Sequence, residues 1–156
     1  MQGIYFAFQG SERNILKTLL NGIDFTDYQF EVDHFQAKKE SFLHPDWAYY
    51  DNKYMISSDE AKKRLLEDEN DDERIENLSL YVRNKAIRKK RIQTFKDLVE
   101  GKYELALKVV DHNTVHVYST KDDVINKIMS NVKTIDYSHT SIKPFECIDF
   151  STVLGM

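Results

Sequence analysis

A single cysteine, Cys147, in 156 residues has nothing to pair with inside the chain, so no internal disulfide holds this fold. Such poverty in cysteine fits a reducing compartment. Proline stops at two and glycine at five, which leaves little material for flexible linkers. No run approaches the ~18 consecutive apolar residues that a membrane-spanning helix needs. The opening MQGIYFAFQGSERN lacks the charged n-region and long apolar h-region of a secretion signal. These absences lead us to expect a soluble, cytoplasmic protein with no membrane partner. The short chemical motifs are missing too: there is no G-x-S-x-G, no phosphate-cradling glycine loop, no C-x-x-C and no H-E-x-x-H. No cofactor and no metal are expected, and the balance leans away from an enzyme.

What is present is enough for a core. Hydrophobic residues make up 41% of the chain, with nine Phe, nine Tyr and one Trp. A chain of this length buries roughly two thirds of its unfolded surface, so residues 1–156 read as one ordered domain. The net charge of −4 gives the whole molecule no attraction for polyanions.

Gly3 to Gln9 is a short, aromatic-rich apolar run that reads as a buried strand. Ile15, Leu16, Leu19, Leu20 and Ile23 recur at helical spacing, and Asn21-Gly22 supplies a helix end. Tyr28, Phe30 and Val32 alternate with polar residues, the pattern of a half-buried strand. Tyr54 to Ile56 reads as another short strand, and Ser57 with Glu60 resembles a capping box opening a helix through Leu66. Thr94 with Asp97 is a cap for a helix carrying Phe95, Leu98 and Val99 and stopped by Gly101. Tyr103, Leu105, Leu107 and Val109 alternate, Asp111-His112-Asn113 is turn chemistry, and Val115 and Val117 alternate on the return. That is a β-hairpin. Thr120 and Asp123 then cap a helix with Val124, Ile125, Ile128 and Met129 on its buried stripe, and Glu146 to Phe150 reads as a final strand. Strands and helices mix without a βαβ repeat, so the expected class is α+β, a mixed or largely antiparallel sheet with helices packed on it.

The densest signal lies between Glu67 and Arg91. Seven carboxylates (Glu67, Asp68, Glu69, Asp71, Asp72, Glu73, Glu76) and seven cations (Arg74, Arg83, Lys85, Arg88, Lys89, Lys90, Arg91) make the segment neutral. With Asn70 as N-cap, residues 71–91 read as one long helix of about 30 Å, acids at its positive end and bases at its negative end. Ile75, Leu78, Val82 and Ala86 share one face. At 100° per residue Arg83, Arg88, Lys85, Lys89 and Lys90 fall at roughly 0°, 140°, 200°, 240° and 340°, so the cations wrap the axis instead of forming a phosphate-tracking stripe. The acidic cluster has no glycine at the turn and no distal Glu at calcium-loop spacing.

Other chemistry is sparse. His112 and His116 are four apart but flank a turn, so they do not meet as metal ligands, and His116 reads as an exposed strand residue on the face of Thr114 and Tyr118. Cys147 in ECIDF reads as an inert buried thiol. His44, Trp47, Tyr49, Tyr50 and Tyr54 lie in the aromatic stretch Phe42–Tyr54, the first place to look for a ligand cleft or a partner surface.

The strand GIYFAF, the segment IDFTDYQF and the run TFKDLVEGKYELALKVVDHNTVHVYSTKDDVINKIMSNV together resemble a family of small uncharacterised proteins of Gram-positive bacteria, a domain of unknown function. The resemblance covers most of the chain and is strongest from Thr94 to Val132. It implies a bacterial cytoplasmic origin and carries no catalytic residues.

The sequence points to a non-catalytic protein-interaction module, partnered by another protein or by a second copy through the charged helix. One alternative is a small enzyme or ligand-binding protein with an aromatic pocket around residues 42–54. Another is nucleic-acid binding through Arg83, Arg88, Lys89, Lys90 and Arg91.

Overall fold

The computed structural model describes residues 2–7, 15–39, 73–84, 92–111, 113–134, 141–146 and 154. Strands β1 (Gln2–Ala7), β2 (Tyr28–Lys39), β3 (Glu73–Asn84), β4 (Tyr103–Val110), β5 (Thr114–Ser119) and β6 (Ser141–Glu146) form one sheet in the order β2-β3-β4-β5-β1-β6. Every neighbouring pair is antiparallel. With helices α1 (Ile15–Leu19), α2 (Phe95–Glu100) and α3 (Asp122–Val132) the protein is α+β.

Both faces of the sheet are covered. On one, Ile4, Phe6, Phe30, Leu80, Leu107 and Val117 pack against Leu16 and Leu19 of α1 and Ile125, Ile128 and Val132 of α3. On the other, Tyr81, Tyr103, Ala106 and Tyr118 pack under Phe95 and Leu98 of α2, with Ile92 and Leu154 alongside. Helix α2 is short and held by its ends. The Thr94 side chain accepts from the Asp97 amide while the Asp97 carboxylate accepts from the Thr94 amide at 2.9 Å, a reciprocal capping box.

The expected long charged helix over 71–91 is a correction. Glu73–Asn84 is strand β3, and residues 71–72 and 85–91 lie outside the described residues. The deciding pattern is the alternation Leu78, Leu80, Val82, all at most 1% exposed on the face of α1 and α3, with Tyr81 and Arg83 buried on the face of α2. A helix face of Leu78 and Val82 would have left Leu80 behind. Burying each such side chain contributes ~1.5–3 kcal/mol, whereas matching a charge to a helix dipole contributes ~0.3–1 kcal/mol. Burial wins.

Smaller differences follow the same logic. The last strand among the described residues runs over Ser141–Glu146 and pairs in register with β1 from Gln2↔Glu146 to Ala7↔Ser141, while residues 147–150 of the expected final strand lie outside the described residues. Helix α3 has Lys121 as its N-cap with no side-chain cap bond, and the Thr120 hydroxyl instead donates to the Tyr103 carbonyl. His116 is half-buried, not exposed, because Tyr5 across the strand pair covers it edge-on at 4.9 Å. The segments read as an aromatic stretch, a strand and a helix between Phe42 and Leu66, together with His112 and Cys147, lie outside the described residues.

Candidate functional site

A β-bulge builds the site. Val82 pairs with Leu105 and Arg83 with Tyr103, so Glu104 has no partner opposite it on β3. A bulge puts neighbouring residues out of the usual alternation and re-aims their side chains. Here Tyr103 turns to the face of α2 and Glu104 to the face of α1 and α3, beside Leu105.

On the α2 face, the Tyr103 hydroxyl donates to Glu31 Oε2 at 2.9 Å, and Arg83 Nε donates to Glu31 Oε1. Glu31 is 7% exposed and Arg83 8%. Among the residues proposed from sequence for nucleic-acid contact, Arg83 is therefore committed to a carboxylate behind the sheet. Arg88, Lys89, Lys90 and Arg91 lie outside the described residues.

On the other face Glu104 enters an open pocket of about 360 Å³, bounded by the turn between α1 and β2 and by the first turns of α3. That turn is held from two sides. Gly22 adopts φ +79°, a left-handed conformation that favours glycine. Asn131 of α3, 6% exposed, donates to the carbonyls of Leu19 and Asn21 at 2.9 and 2.8 Å and so caps the end of α1. Asp24 then accepts from the amide of Thr26 at 2.9 Å, and Phe25 meets the Phe30 and Tyr28 rings edge-on at 5.0 and 6.4 Å.

Within this frame Lys121 Nζ stands 2.9 Å from Glu104 Oε1. Ser119 fixes both backbones, its hydroxyl donating to the Glu104 carbonyl and accepting from the Lys121 amide at 3.1 Å. Tyr28 completes the group. Its hydrogen bond to the Glu104 carboxylate, then its burial, push the phenol above its ordinary pKa of 10.0. The hydrogen bond to Glu104, reinforced by its charge, also raises the Lys121 ammonium above 10.5, outweighing the opposing effect of burial. A phenol and an ammonium are thus both held in their protonated forms by one carboxylate.

His116 lies on the opposite face, where burial first, and the charge of Lys108 second, lower its pKa. Among the described residues no group of three or more His, Cys, Asp or Glu is arranged to hold a metal ion.

The sequence-predicted site residues His44, Trp47, Tyr49, Tyr50 and Tyr54 lie outside the described residues. The residues that do converge, Tyr28, Glu104 and Lys121, read in sequence as an ordinary strand residue, the polar partner in an alternation and a helix neighbour. No local signal marks them, because 76 residues separate Tyr28 from Glu104 and the bulge that aims Glu104 has no sequence signature here.

The fold and this site define an α+β protein with a polar pocket between one end of its sheet and two helices. The chain belongs to the DUF2691 family, described as a protein of unknown function, which matches residues 1–146. No curated protein and no solved structure matches it.

Proposed function

We propose that this protein works by binding, not by catalysing a reaction, and that the pocket around Tyr28, Glu104 and Lys121 takes a small polar ligand. The carrying observation is the convergence of the Tyr28 phenol and the Lys121 ammonium on the Glu104 carboxylate, and the direction in which it moves them both. General acid–base catalysis is most effective with a group whose pKa lies near the working pH. Here the Lys121 ammonium and the Tyr28 phenol are both pushed up, away from neutrality. What the cluster offers instead is a fixed set of hydrogen-bonding groups over the apolar floor of Val82 and Leu105, in a volume at the small end of the ~300–1,000 Å³ of ligand sites.

A cytoplasmic setting belongs to the same reading and is supported by the lone Cys147. Among the described residues no helix is long and apolar enough to cross a membrane. One domain is supported by strands drawn from residues 2 to 146 sharing a single sheet. Bacterial origin is supported by the sequence resemblance. A protein partner is proposed on the aromatic stretch 42–54, and repeated affinity purification that recovers none would count against it.

The test is a small-molecule screen followed by heteronuclear NMR on the full chain. Ligands are expected to move the amides of Tyr28, Leu105 and Val124 and to lose affinity in Glu104→Gln. Perturbations that map to the α2 face, or turnover of any compound in the screen, would argue against this reading.

A further inference from the structure

The rim of the pocket carries two opposite charges that do not serve each other. Asp123 and Lys127 stand four residues apart on α3, and both line the cavity. Opposite charges at this spacing have Cβ atoms ~5–6 Å apart and commonly pair, best with the acid N-terminal as here. Lys96 and Glu100 on α2 do so at 3.7 Å. Among the described residues no ion pair or hydrogen bond joins Asp123 to Lys127.

The stem of Lys127 explains part of this. It lies against Gly22, where an added Cβ would meet Lys127 Cε at 2.8 Å and Nζ at 3.2 Å. The ammonium thereby stands against the Gly22 wall. Glu104 and Lys121, by contrast, are matched with each other and with Tyr28. The Asp24 carboxylate, also on the lining, is engaged by the Thr26 amide and hydroxyl, so Asp123 and Lys127 are the carboxylate and the ammonium that the pocket presents, with Val82, Leu105 and Phe25 beneath.

We infer that the ligand is a small zwitterion of the α-amino-acid class with a short apolar side chain. Its ammonium meets Asp123, its carboxylate meets Lys127, and its side chain lies on Val82, Leu105 and the Phe25 ring. A ligand with one charge only would satisfy one rim group and leave its like-charged neighbour unopposed. This assignment rests on the ligand-binding reading above and adds the ligand's chemistry to it.

The test titrates the full chain with each of the twenty amino acids, and then with 4-methylpentanoate and 3-methylbutylamine, which are leucine without its amine and without its carboxylate. Binding is followed by NMR at Leu105 and Val124. At least one apolar amino acid is expected to bind saturably. Each singly charged analogue, and each of the variants Asp123→Asn and Lys127→Gln, should bind about 10-fold or more weaker. Both variants are at exposed positions, and circular dichroism verifies their fold. Analogues that bind as well as the amino acid, at the same resonances, overturn the zwitterion while leaving the pocket a ligand site. Pocket resonances that move for another polar compound and for no amino acid do the same. Resonances that move for no small molecule overturn both readings.

Discussion

Glu104 and Leu105 are adjacent in the chain yet share one face of the sheet, while Tyr103 before them takes the other. The Tyr103 hydroxyl lies 2.9 Å from Glu31 Oε2 under α2, and the Glu104 carboxylate lies 2.9 Å from Lys121 Nζ under α3. The bulge at Glu104 thus feeds a buried ion pair and a polar pocket at once. The two halves are separable by mutation.

On the α2 side, Arg83→Met should destabilise the protein by about 3–5 kcal/mol, because it leaves the Glu31 carboxylate buried without its cation. The double variant Glu31→Leu with Arg83→Met should recover much of that loss, since the uncompensated charge is gone. Tyr103→Phe should cost about 1.5–3 kcal/mol, the range for a hydrogen bond to a charged acceptor. Urea unfolding of the parent chain, Arg83→Met, Glu31→Leu and their double variant forms the cycle, with Tyr103→Phe measured beside it, and a double variant no better than Arg83→Met would show that the pair stabilises the fold outright.

Strand β3 makes a sharp contrast between neighbours. Leu80 is fully buried and Ser79 is half-buried, so Leu80→Ala should cost about 2–5 kcal/mol while Ser79→Ala changes little. Hydrogen exchange adds a second reading: the amides from Leu78 to Val82, paired on both sides by β2 and β4, should be among the slowest in the chain. Rapid exchange there would remove β3 from the sheet's interior.

Glu104 links the pocket to alkaline pH. The folded-state pKa values of Tyr28 and Lys121 lie above their ordinary 10.0 and 10.5. Folded protein therefore holds these protons more tightly than unfolded chain, so the stabilisation is complete below pH 10 and is lost as pH rises through the folded values. Glu104→Gln should flatten that alkaline decline in thermal melts between pH 9 and about 11. An unchanged slope would mean that the carboxylate does not hold the two protons.

His116 acts at the other end of the scale. Its folded pKa lies below 6.5, so its contribution is present above that value and is lost as pH falls toward the folded one. NMR titration should place its midpoint below 6.5. Lys108→Gln should raise that midpoint, although burial, the larger cause, keeps it lowered. His116→Gln should reduce the loss of stability between pH 7 and pH 5, and an unshifted midpoint would undo the assignment.

Much of the fold is legible in the chain where one face of an element is buried and local punctuation agrees. The alternation at Tyr28–Val32 is where β2 begins, the Thr94–Asp97 capping box opens α2, and Ile125 and Ile128 lie on the buried side of α3. Residues 73–84 read as helix in the sequence because their acidic and basic flanks fit a helix dipole, while the Leu78-Leu80-Val82 alternation of the strand they form is short. Only the presence of β2 and β4 on either side makes that alternation decisive. For the site, Asp123 was legible only as a cap residue and Glu104 only as the polar half of a strand.

By itself the sequence determined the class of the protein, α+β with a real hydrophobic core, and the position of most of the elements described, because periodicity and caps act over a few residues. The tertiary structure alone decided what the charged residues do. It buried Arg83 on Glu31, set Glu104 between Tyr28 and Lys121, and left Asp123 and Lys127 unjoined on one rim. The reason is physical: a side chain's electrostatic partners are chosen by sheet register and by one bulged residue, and both are settled by contacts far apart along the chain.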